Sequence, residues 1–383
     1  MVSMMKKFLT LALLFVVLPG FAAAPPAVSL PPAPDIAARS YILVDLSSGQ
    51  TLQQRGGDER MEPASLTKLM TAYLTFAALR QGVITNTQAL PVSERAWRAE
   101  GSRMFIQPNT PVVVDDLIRG MIVQSGNDAC ITLAEGIAGS EEEFVRRMNL
   151  EAQRLGMKNT HFMNSTGLPH PQHYTTARDL SFLARAIIRD FPEYYPLYSL
   201  KEYKYNNITQ ANRNRLLWLD PTVDGMKTGH TESAGFCLIA SAKRDSRRLL
   251  SVVLGTTSES MRASESQKLL NYGFQNFDTH HLYQKGQVVA NLPVWKGSEN
   301  ILKAGVAQDF YVSLPKGQYA RLKAALVSKQ PLLAPLAAGQ QVGIIRLTLD
   351  DKLYAEYPLV ALEGVVRANF FKRGWDGVKL WFK

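Results

Sequence analysis

The hydrophobic positions near the start of the chain predict a hairpin followed by a long helix. The run Tyr-Ile-Leu-Val before Asp45 is typical of a buried strand, and the Ser-Ser-Gly turn at residues 47–49 leads to a second strand near Thr51. Pro63 then begins a pattern in which apolar side chains recur every three or four positions until Gly82. Proline at the start and glycine after the end are usual limits of a helix.

Further periodic segments complete a first, larger domain. The predicted helices lie near residues 116–123, 128–137, 141–155, 177–190 and 263–274, and the predicted strands cover 236–242 and 249–254. Strands at both ends of the segment with helices between them predict an α/β (α+β) catalytic domain over residues 36–278, in which a mixed sheet is flanked by helices.

The remaining residues predict a second, smaller all-β domain and a terminal helix. Residues 279–360 hold short alternating apolar runs between glycine and proline turns. In residues 361–383 the pattern becomes helical, with apolar residues on one side (Phe371, Trp375, Val378, Phe382) and charged residues on the other (Lys372, Asp376, Lys379, Lys383). Such an amphipathic helix is typical of segments that lie on an anionic membrane surface. A terminal helix packed on its own protein is the alternative.

The first 35 residues have the composition of an export signal and a linker. Two lysines precede an apolar run from Phe8 to Leu18, and small residues follow as far as Ala24. Residues 1–24 are therefore predicted to be a signal peptide, because the apolar run is shorter than the roughly 20 residues that a membrane-spanning helix needs. Prolines recur in residues 25–35, which predicts an extended spacer before the folded domain.

Composition narrows the possible partners. The 383 residues carry a net charge of +10, which favours an anionic partner such as nucleic acid, acidic lipid or an anionic polymer. An export signal and the lack of a recognition motif argue against nucleic acid. Of the two cysteines, either both are buried thiols, which is the simpler interpretation, or they form one bridge. The histidines show no metal-ligand spacing, so no metal and no cofactor is expected, and His170 and His173 are expected on the surface.

Three short motifs carry the candidate chemistry. Ser-x-x-Lys occurs three times in the chain and says little alone, but at Ser65 and Lys68 it lies at the start of the first predicted helix. Ser-Gly-Asn begins at Ser125, between two predicted helices, and Lys-Thr-Gly occurs once, at Lys227, just before a predicted strand. Chance is a poor explanation for this ordered set, in which each motif has the structural context that acyl transfer needs.

Each residue of the set has a chemical reason to be present. Serine is a poor nucleophile at its ordinary pKa, and Lys68 can accept its proton only if burial and nearby positive charge keep the amine neutral. Lys227 would supply such a charge. Ser125 could relay a proton between Lys68 and the leaving amine, and Asn127 could orient Lys68 and the substrate amide. Taken singly, each residue also has a structural interpretation, such as a helix cap or a solvated charge.

These motifs and their neighbours resemble the low-molecular-mass penicillin-binding proteins of the D-alanyl-D-alanine carboxypeptidase type. The resemblance covers essentially the whole chain and is strongest at residues 63–68, 124–130 and 223–231. It implies a serine acyl-enzyme, formed on Ser65, that removes the terminal D-alanine from peptidoglycan pentapeptides and is acylated by β-lactams. It also implies a role in peptidoglycan synthesis and cell shape, at the periplasmic face of the cytoplasmic membrane.

The resemblance further implies a substrate-binding set: Arg213, Lys227, Thr228, Gly229, His230, Thr231 and Arg262. The backbone N–H groups of Ser65 and His230 would form the oxyanion hole. Arg262, with Thr228 and Thr231, would hold the terminal carboxylate of the substrate. The position of Lys-Thr-Gly before a strand independently predicts a sheet edge, to which an extended peptide could add.

Other functions compete with this hypothesis. A class A β-lactamase hydrolyses its acyl-enzyme with a glutamate acting through water, but residues 156–178 contain no acidic residue where that base is expected. An endopeptidase that cuts cross-links needs the same residues and a more open cleft, so that activity stays open. A non-catalytic scaffold would require a defective motif set, and the set is intact. No substrate contact is assigned to residues 159–174, which depart from the family's sequence there.

Overall fold

The structure is a computed structural model that describes residues 32–382. The predicted signal peptide, most of the proline-rich spacer and Lys383 lie outside the described residues. In the larger domain the strands are β1 (Ser40–Asp45), β2 (Thr51–Arg55), β3 (Ala89–Leu90), β4 (Val112–Val113), β5 (Glu202–Tyr205), β6 (Ile208–Ala211), β7 (Val223–Thr231), β8 (Gly235–Arg244) and β9 (Arg247–Thr256). The helices are α1 (Lys68–Arg80), α2 (Glu94–Trp97), α3 (Val114–Arg119), α4 (Asn127–Ala138), α5 (Glu141–Arg154), α6 (Ala177–Asp190), α7 (Leu216–Leu219) and α8 (Glu259–Asn276).

Five of these strands form the central sheet, in the order β2-β1-β9-β8-β7. Every neighbouring pair is antiparallel, so the expectation of a mixed sheet is wrong. For β1–β2, β7–β8 and β8–β9 the reason is the short turn between consecutive strands, because strands joined by a tight turn pair antiparallel. β7 is bonded to β8 alone within the sheet, so the Lys-Thr-Gly segment lies at an edge, as the sequence predicts.

The sheet separates two apolar layers. Alternate side chains of β9 point to opposite faces, so Leu250 and Val252 pack against the helices that include α1, α4 and α6, while Leu249 and Val253 pack against α8. The helix α1 is covered on almost every side, which explains why nearly all its side chains are apolar or small. The motif residues are thereby set between the helical layer and the edge of the sheet.

The smaller domain has its own core and is built from strands β10 (Phe277–Tyr283), β11 (Val288–Trp295), β12 (Ile301–Gly305), β13 (Phe310–Pro315), β14 (Leu322–Ser328), β15 (Leu332–Leu333), β16 (Gln341–Leu349) and β17 (Lys352–Ala361). β10 pairs with β13, and the other six form a sheet in the order β14-β16-β17-β12-β11-β15. Polar contacts join this domain to the larger one. The Thr279 hydroxyl donates to the Asp45 carboxylate at 2.6 Å, and the Ser313 amide donates to the Gln50 side chain at 2.6 Å.

A final helix, α9 (Phe370–Trp381), is attached to the smaller domain through its polar side. Asp376 is buried, and its carboxylate accepts a hydrogen bond from the backbone N–H of Lys296 at 2.7 Å. The sequence pattern puts Asp376 on the charged side of the helix, and through this residue that side contacts the smaller domain. Phe371, Trp375 and Trp381 remain exposed. Within residues 32–382, no helix combines the length and apolarity that crossing a membrane would require.

Candidate active site

Ser65 lies in a short 3₁₀ turn, Ala64–Thr67, that leads directly into α1. Ala64 has a φ of 47°, in the left-handed region that side chains other than glycine rarely adopt. Gly167 packs against this turn so closely that an added Cβ would lie 1.8 Å from the Ala64 carbonyl oxygen and 2.9 Å from the Ser65 nitrogen. The position of the candidate nucleophile is therefore fixed by a contact from a distant segment.

Lys68 is almost fully buried beneath Ser65. Its Nζ lies 3.0 Å from the Ser65 Oγ, 2.6 Å from the Asn127 Oδ1 and 2.5 Å from the Thr166 carbonyl oxygen. Burial first, and then the positive charge of Arg213, lower the pKa of Lys68 to about 8. A neutral amine has two N–H hydrogens, which the two carbonyl oxygens can accept, and one lone pair, which then faces the Ser65 hydroxyl.

Lys227 and Ser125 form a second buried pair. The Lys227 Nζ donates to the Ser125 Oγ at 3.0 Å and to the Thr228 carbonyl oxygen at 2.9 Å. Burial first, and then the charge of Lys68, lower the pKa of Lys227 well below its usual value. The sequence hypothesis connected Ser125 to Lys68, whereas the hydrogen bond in the structure connects it to Lys227.

Asn127 is the first residue of α4 rather than a loop residue. Its side chain links Lys68 to the backbone at Glu100. Its Nδ2 donates to the Glu100 carbonyl oxygen at 2.6 Å while its Oδ1 accepts from Lys68. The amide is therefore held at both ends. Asp128, the next residue, is buried and accepts the backbone N–H groups of Met104 and Phe105 at 3.0 and 2.9 Å.

These elements surround a cavity of about 500 Å³. Most of the sequence-predicted set lines it: Ser65, Ser125, Asn127, Arg213, Thr228, Gly229, His230, Thr231 and Arg262. Lys68 and Lys227 lie behind the wall and reach it through hydrogen bonds to Ser65 and Ser125. The sequence pattern did not identify the other lining residues: Gly101, Ser102, Arg103, Phe105, Gln124, Thr166, Gly167, Leu168, Phe236 and Glu259. Most of them come from loops, where no periodic pattern marks a residue as part of a site.

The cationic side of the cavity is formed by Arg262 and Arg213. Arg262 is only 3% exposed, so it is not a solvated surface charge, and its guanidinium donates to the Glu259 carboxylate at 2.9 Å. Arg213 is exposed and lies close enough to lower the pKa of both lysines. His230 stacks on Phe236 with ring centroids 4.0 Å apart, which holds the end of β7.

His173 is buried beside the turn Ala64–Thr67, which carries Ser65 and is called the nucleophile turn below, so the expectation of a surface residue is wrong. Its Nε2 lies 3.0 Å from the Thr67 hydroxyl, and only 2% of the residue is exposed. Burial, with the neighbouring His161 and His170, lowers the pKa of His173 to about 4. The ring packs edge-on against Phe162, an apolar environment that a sequence of loop type does not reveal.

The two cysteines, Cys130 and Cys237, are free and buried, so the simpler interpretation of the sequence is confirmed and a bridge between them is excluded. Cys130 lies close enough to Lys68 for the two groups to affect each other's ionisation. Burial raises the pKa of the Cys130 thiol to about 12, so it stays protonated and does not compete with Ser65 as a nucleophile.

Comparison with known proteins agrees with this geometry. Residues 27–258 match the family model described as D-alanyl-D-alanine carboxypeptidase, and residues 277–367 match the model for the penicillin-binding protein 5 C-terminal domain. The chain is 42% identical over 361 residues to D-alanyl-D-alanine carboxypeptidase DacA of Escherichia coli (strain K12), a match that covers 92% of this chain and 90% of that protein. It is 36% identical over 339 residues to DacF of Bacillus subtilis (strain 168), covering 87% of each.

Solved structures give the same result. Penicillin binding protein 5 from Haemophilus influenzae matches with a TM-score of 0.84 at 43% identity, over 88% of this chain and 99% of that one. Penicillin-Binding Protein D2 from Listeria monocytogenes, solved in an ampicillin bound form, matches with a TM-score of 0.59 at 29% identity, over 64% of this chain and 100% of that one. The chain therefore belongs to the D-alanyl-D-alanine carboxypeptidase family, and it is a serine-type hydrolase that releases D-alanine from peptidoglycan peptides and binds penicillin.

Proposed function

We propose that Ser65 is the nucleophile of this carboxypeptidase and that Lys68 is the base that activates it. The observation that supports this most directly is the environment of the Lys68 amine. Two carbonyl oxygens occupy its N–H directions, at 2.6 and 2.5 Å, and the Ser65 hydroxyl takes the third direction at 3.0 Å. With a pKa of about 8, an appreciable fraction of the amine is neutral near neutral pH and can accept the serine proton.

In the first step, the Ser65 Oγ gives its proton to Lys68 and forms a bond to the carbonyl carbon of the penultimate D-alanine. The backbone N–H groups of Ser65 and His230 donate to the oxygen that becomes negative. The bond to the nitrogen of the terminal D-alanine then breaks, and this nitrogen receives, through the Ser125 hydroxyl that Lys227 holds in place, the proton that Lys68 took from Ser65, so the Lys68 amine is neutral again. The products are the acyl-enzyme and free D-alanine.

In the second step, water attacks the acyl carbon, Lys68 takes a proton from the water, and Ser65 leaves with its proton restored. The same step is slow after reaction with a β-lactam. The cavity lining includes one carboxylate, Glu259, and this group is ion-paired with Arg262 rather than free to activate water. A lining carboxylate that is ion-paired in this way argues against a β-lactamase, which needs a glutamate that can activate water.

The substrate carboxylate is assigned to the cationic side of the cavity. Arg262 and Arg213 supply positive charge there, and Thr228 and Thr231 supply hydroxyl groups on the edge strand. An extended peptide that adds to the free edge of β7 would carry its C-terminus past these groups. Cleavage of cross-links remains a second candidate activity, which the open edge also allows.

Mass spectrometry after brief exposure to penicillin tests the roles of these residues. The wild-type protein is expected to gain one stoichiometric adduct on the peptide that contains Ser65, and the adduct is expected to persist for minutes. Ser65→Ala should gain none, while Ser264→Ala, a serine exposed on α8, should react like the wild type. Rapid loss of the drug with no lasting adduct would instead establish a β-lactamase.

We propose that the exported enzyme works at the periplasmic face of the cytoplasmic membrane and rests on it through α9. Phe371 and Trp381 are 85% and 89% exposed, because the helix contacts the smaller domain through Asp376 on its other side. Basic side chains line a small cavity next to the helix, at Lys296, Arg367 and Arg373. Aromatic and basic groups in this arrangement suit the interface of an anionic membrane.

We also propose the following division of the chain: a signal peptide (1–24), a spacer (25–35), a catalytic domain (36–278), a β-rich domain (279–360) and an anchor (361–383). The two family models, which meet the chain at 27–258 and 277–367, support the central boundary. The β-rich domain would serve as a spacer that lifts the active site from the membrane toward the wall.

A further inference from the structure

The loop formed by residues 100–106, between α2 and β4, is fastened to the start of α4. Asn127 donates its backbone N–H to the Ser102 carbonyl oxygen at 2.7 Å and its side-chain amide to that of Glu100 at 2.6 Å. The buried Asp128 carboxylate accepts the backbone N–H groups of Met104, Phe105 and Ile106 at 3.0, 2.9 and 3.3 Å. A loop with this many buried bonds holds its side chains in place.

Arg103 is the charged residue that this loop presents to the cavity. Its backbone carbonyl accepts a hydrogen bond from the Gln210 side chain at 3.2 Å, so the loop is also held from the β5–β6 hairpin. The guanidinium lies 5.5 Å from the centroid of the exposed Phe105 ring. In the described part of the chain, no carboxylate lies within ion-pairing distance of Arg103.

The charges around the cavity do not balance. Three guanidinium groups line it, at Arg103, Arg213 and Arg262, and a single carboxylate, Glu259, is paired with Arg262. The C-terminal carboxylate of the substrate supplies one negative charge on the side of Arg213 and Arg262. Arg103 belongs to the wall built on α4, so its charge is available to a second anion on the substrate.

We propose that Arg103, supported by Phe105, binds a carboxylate on the side chain of the residue that precedes the two D-alanines. The cationic wall would favour a diamino dicarboxylic acid there and would disfavour lysine, whose ammonium it repels. Arg103 is thus a specificity-determining residue, and its assignment depends on the proposed roles of Ser65 and Lys68.

Three acetylated tripeptides ending in D-Ala-D-Ala test the assignment. Their first residues are 2-aminopimelate, norleucine and lysine, so the side chain carries a carboxylate, no charge or an ammonium. The measured quantity is the ratio of kcat/KM for D-alanine release between the carboxylate and the neutral peptide. For the wild type this ratio is expected to be at least about fivefold, the size typical of a partly exposed charged hydrogen bond. The lysine peptide should be the poorest substrate.

In Arg103→Ala the ratio is expected to fall below about twofold, and Arg103→Lys, which keeps the charge but not the forked donor, should give an intermediate value. Arg98→Ala is the matched control, since Arg98 is exposed, pairs with Glu94 and does not line the cavity. A ratio near one in the wild type, or an equal ratio in Arg103→Ala, would overturn the subsite. Absence of D-alanine release from all three peptides, with no penicillin adduct, would instead contradict the roles of Ser65 and Lys68.

Discussion

At the scale of single residues, the proposed role of Lys68 as the base depends on the surroundings of its amine. Its amine is buried, so the charged form loses hydration that the two carbonyl acceptors replace only in part. Arg213 adds a positive charge nearby. Both effects favour the neutral amine, which is the form that can take a proton from Ser65.

The rate of acylation by penicillin is therefore expected to rise with pH through about 8, the pKa of Lys68. From pH 7 to pH 9 the neutral fraction grows about tenfold, and the second-order rate constant should grow with it. A stopped-flow measurement with a fluorescent penicillin gives this profile. Arg213→Ala should move the midpoint to higher pH, because it removes a charge that lowers the pKa of Lys68. A rate that stays flat over this range would show that Lys68 is not the base.

His173 should make the folded state sensitive to acid. Its pKa is about 4 in the folded state, below the ordinary 6.5, so the unfolded chain takes up a proton first as the pH falls. Stability present above pH 6.5 is lost as the pH falls toward 4, by about 3 kcal/mol in the free energy of unfolding. Urea unfolding at pH 7 and pH 4.5 should show a smaller loss for His173→Gln than for the wild type. His280→Gln, in the smaller domain, is the control and should lose as much as the wild type.

The sequence was sufficient to predict that Ser65, Lys68 and Lys227 lie around one candidate site, because the spacing and context of a motif are local properties. It was insufficient for His173 and Asp376. Both lie in segments whose composition is typical of exposed positions, and each is buried by one contact that no local pattern encodes. Arg103 was missed for a related reason, since its place in the cavity depends on Asp128, which is 25 positions later in the chain.

At the scale of elements, the segment 166–168 acts as a brace for the nucleophile turn. The Thr166 carbonyl oxygen accepts from Lys68, and Gly167, with a φ of 90°, lies against Ala64 and Ser65. The sequence predicted the long helices and the strands β1, β8 and β9 well, because their periodicity extends over many residues, but it did not predict that all pairs in the sheet are antiparallel. It assigned no contact to residues 159–174, since an irregular segment has no period by which its inner side could be identified.

Gly167→Ala is expected to slow acylation by at least about tenfold, because a Cβ would displace the turn that carries Ser65 and misplacement by ~1 Å costs that much or more. The matched control is Gly156→Ala. Gly156 has a similar φ of 80°, but a Cβ there would meet nothing within 4 Å. Both variants should lose a similar amount of stability from the backbone conformation. Equal acylation rates in the two variants would argue against the brace.

At the scale of the whole molecule, α9 gives the protein a face unlike the rest of its surface. Exposed aromatic residues crowd one side of the helix while its opposite side is fixed to the smaller domain through Asp376. The amphipathic pattern of this helix could be read from the sequence. The sequence could not show which side of the helix faces outward, because that depends on the backbone N–H of Lys296, which lies 80 residues before Asp376.

Sedimentation with vesicles tests the proposed membrane contact. The wild type is expected to bind vesicles that contain phosphatidylglycerol, and the double variant Trp375→Glu/Trp381→Glu should bind at least about tenfold less, since two aromatic anchors are replaced by charges. Trp218→Glu is the control, because Trp218 is an exposed tryptophan on α7 of the catalytic domain. Equal binding by all three proteins would place the contact elsewhere.

The polar junction between the two domains has a consequence for how the enzyme meets its polymer. Asp45 and Ser313 are both fully buried there, with bonds to Thr279 and Gln50, so the domains are fastened rather than linked by a free hinge. If α9 holds the enzyme on the membrane as proposed, this junction fixes the height of the active site above the membrane. Such an enzyme would trim peptides in one layer of the wall and would reach the stems of more distant layers only as newer material moves past.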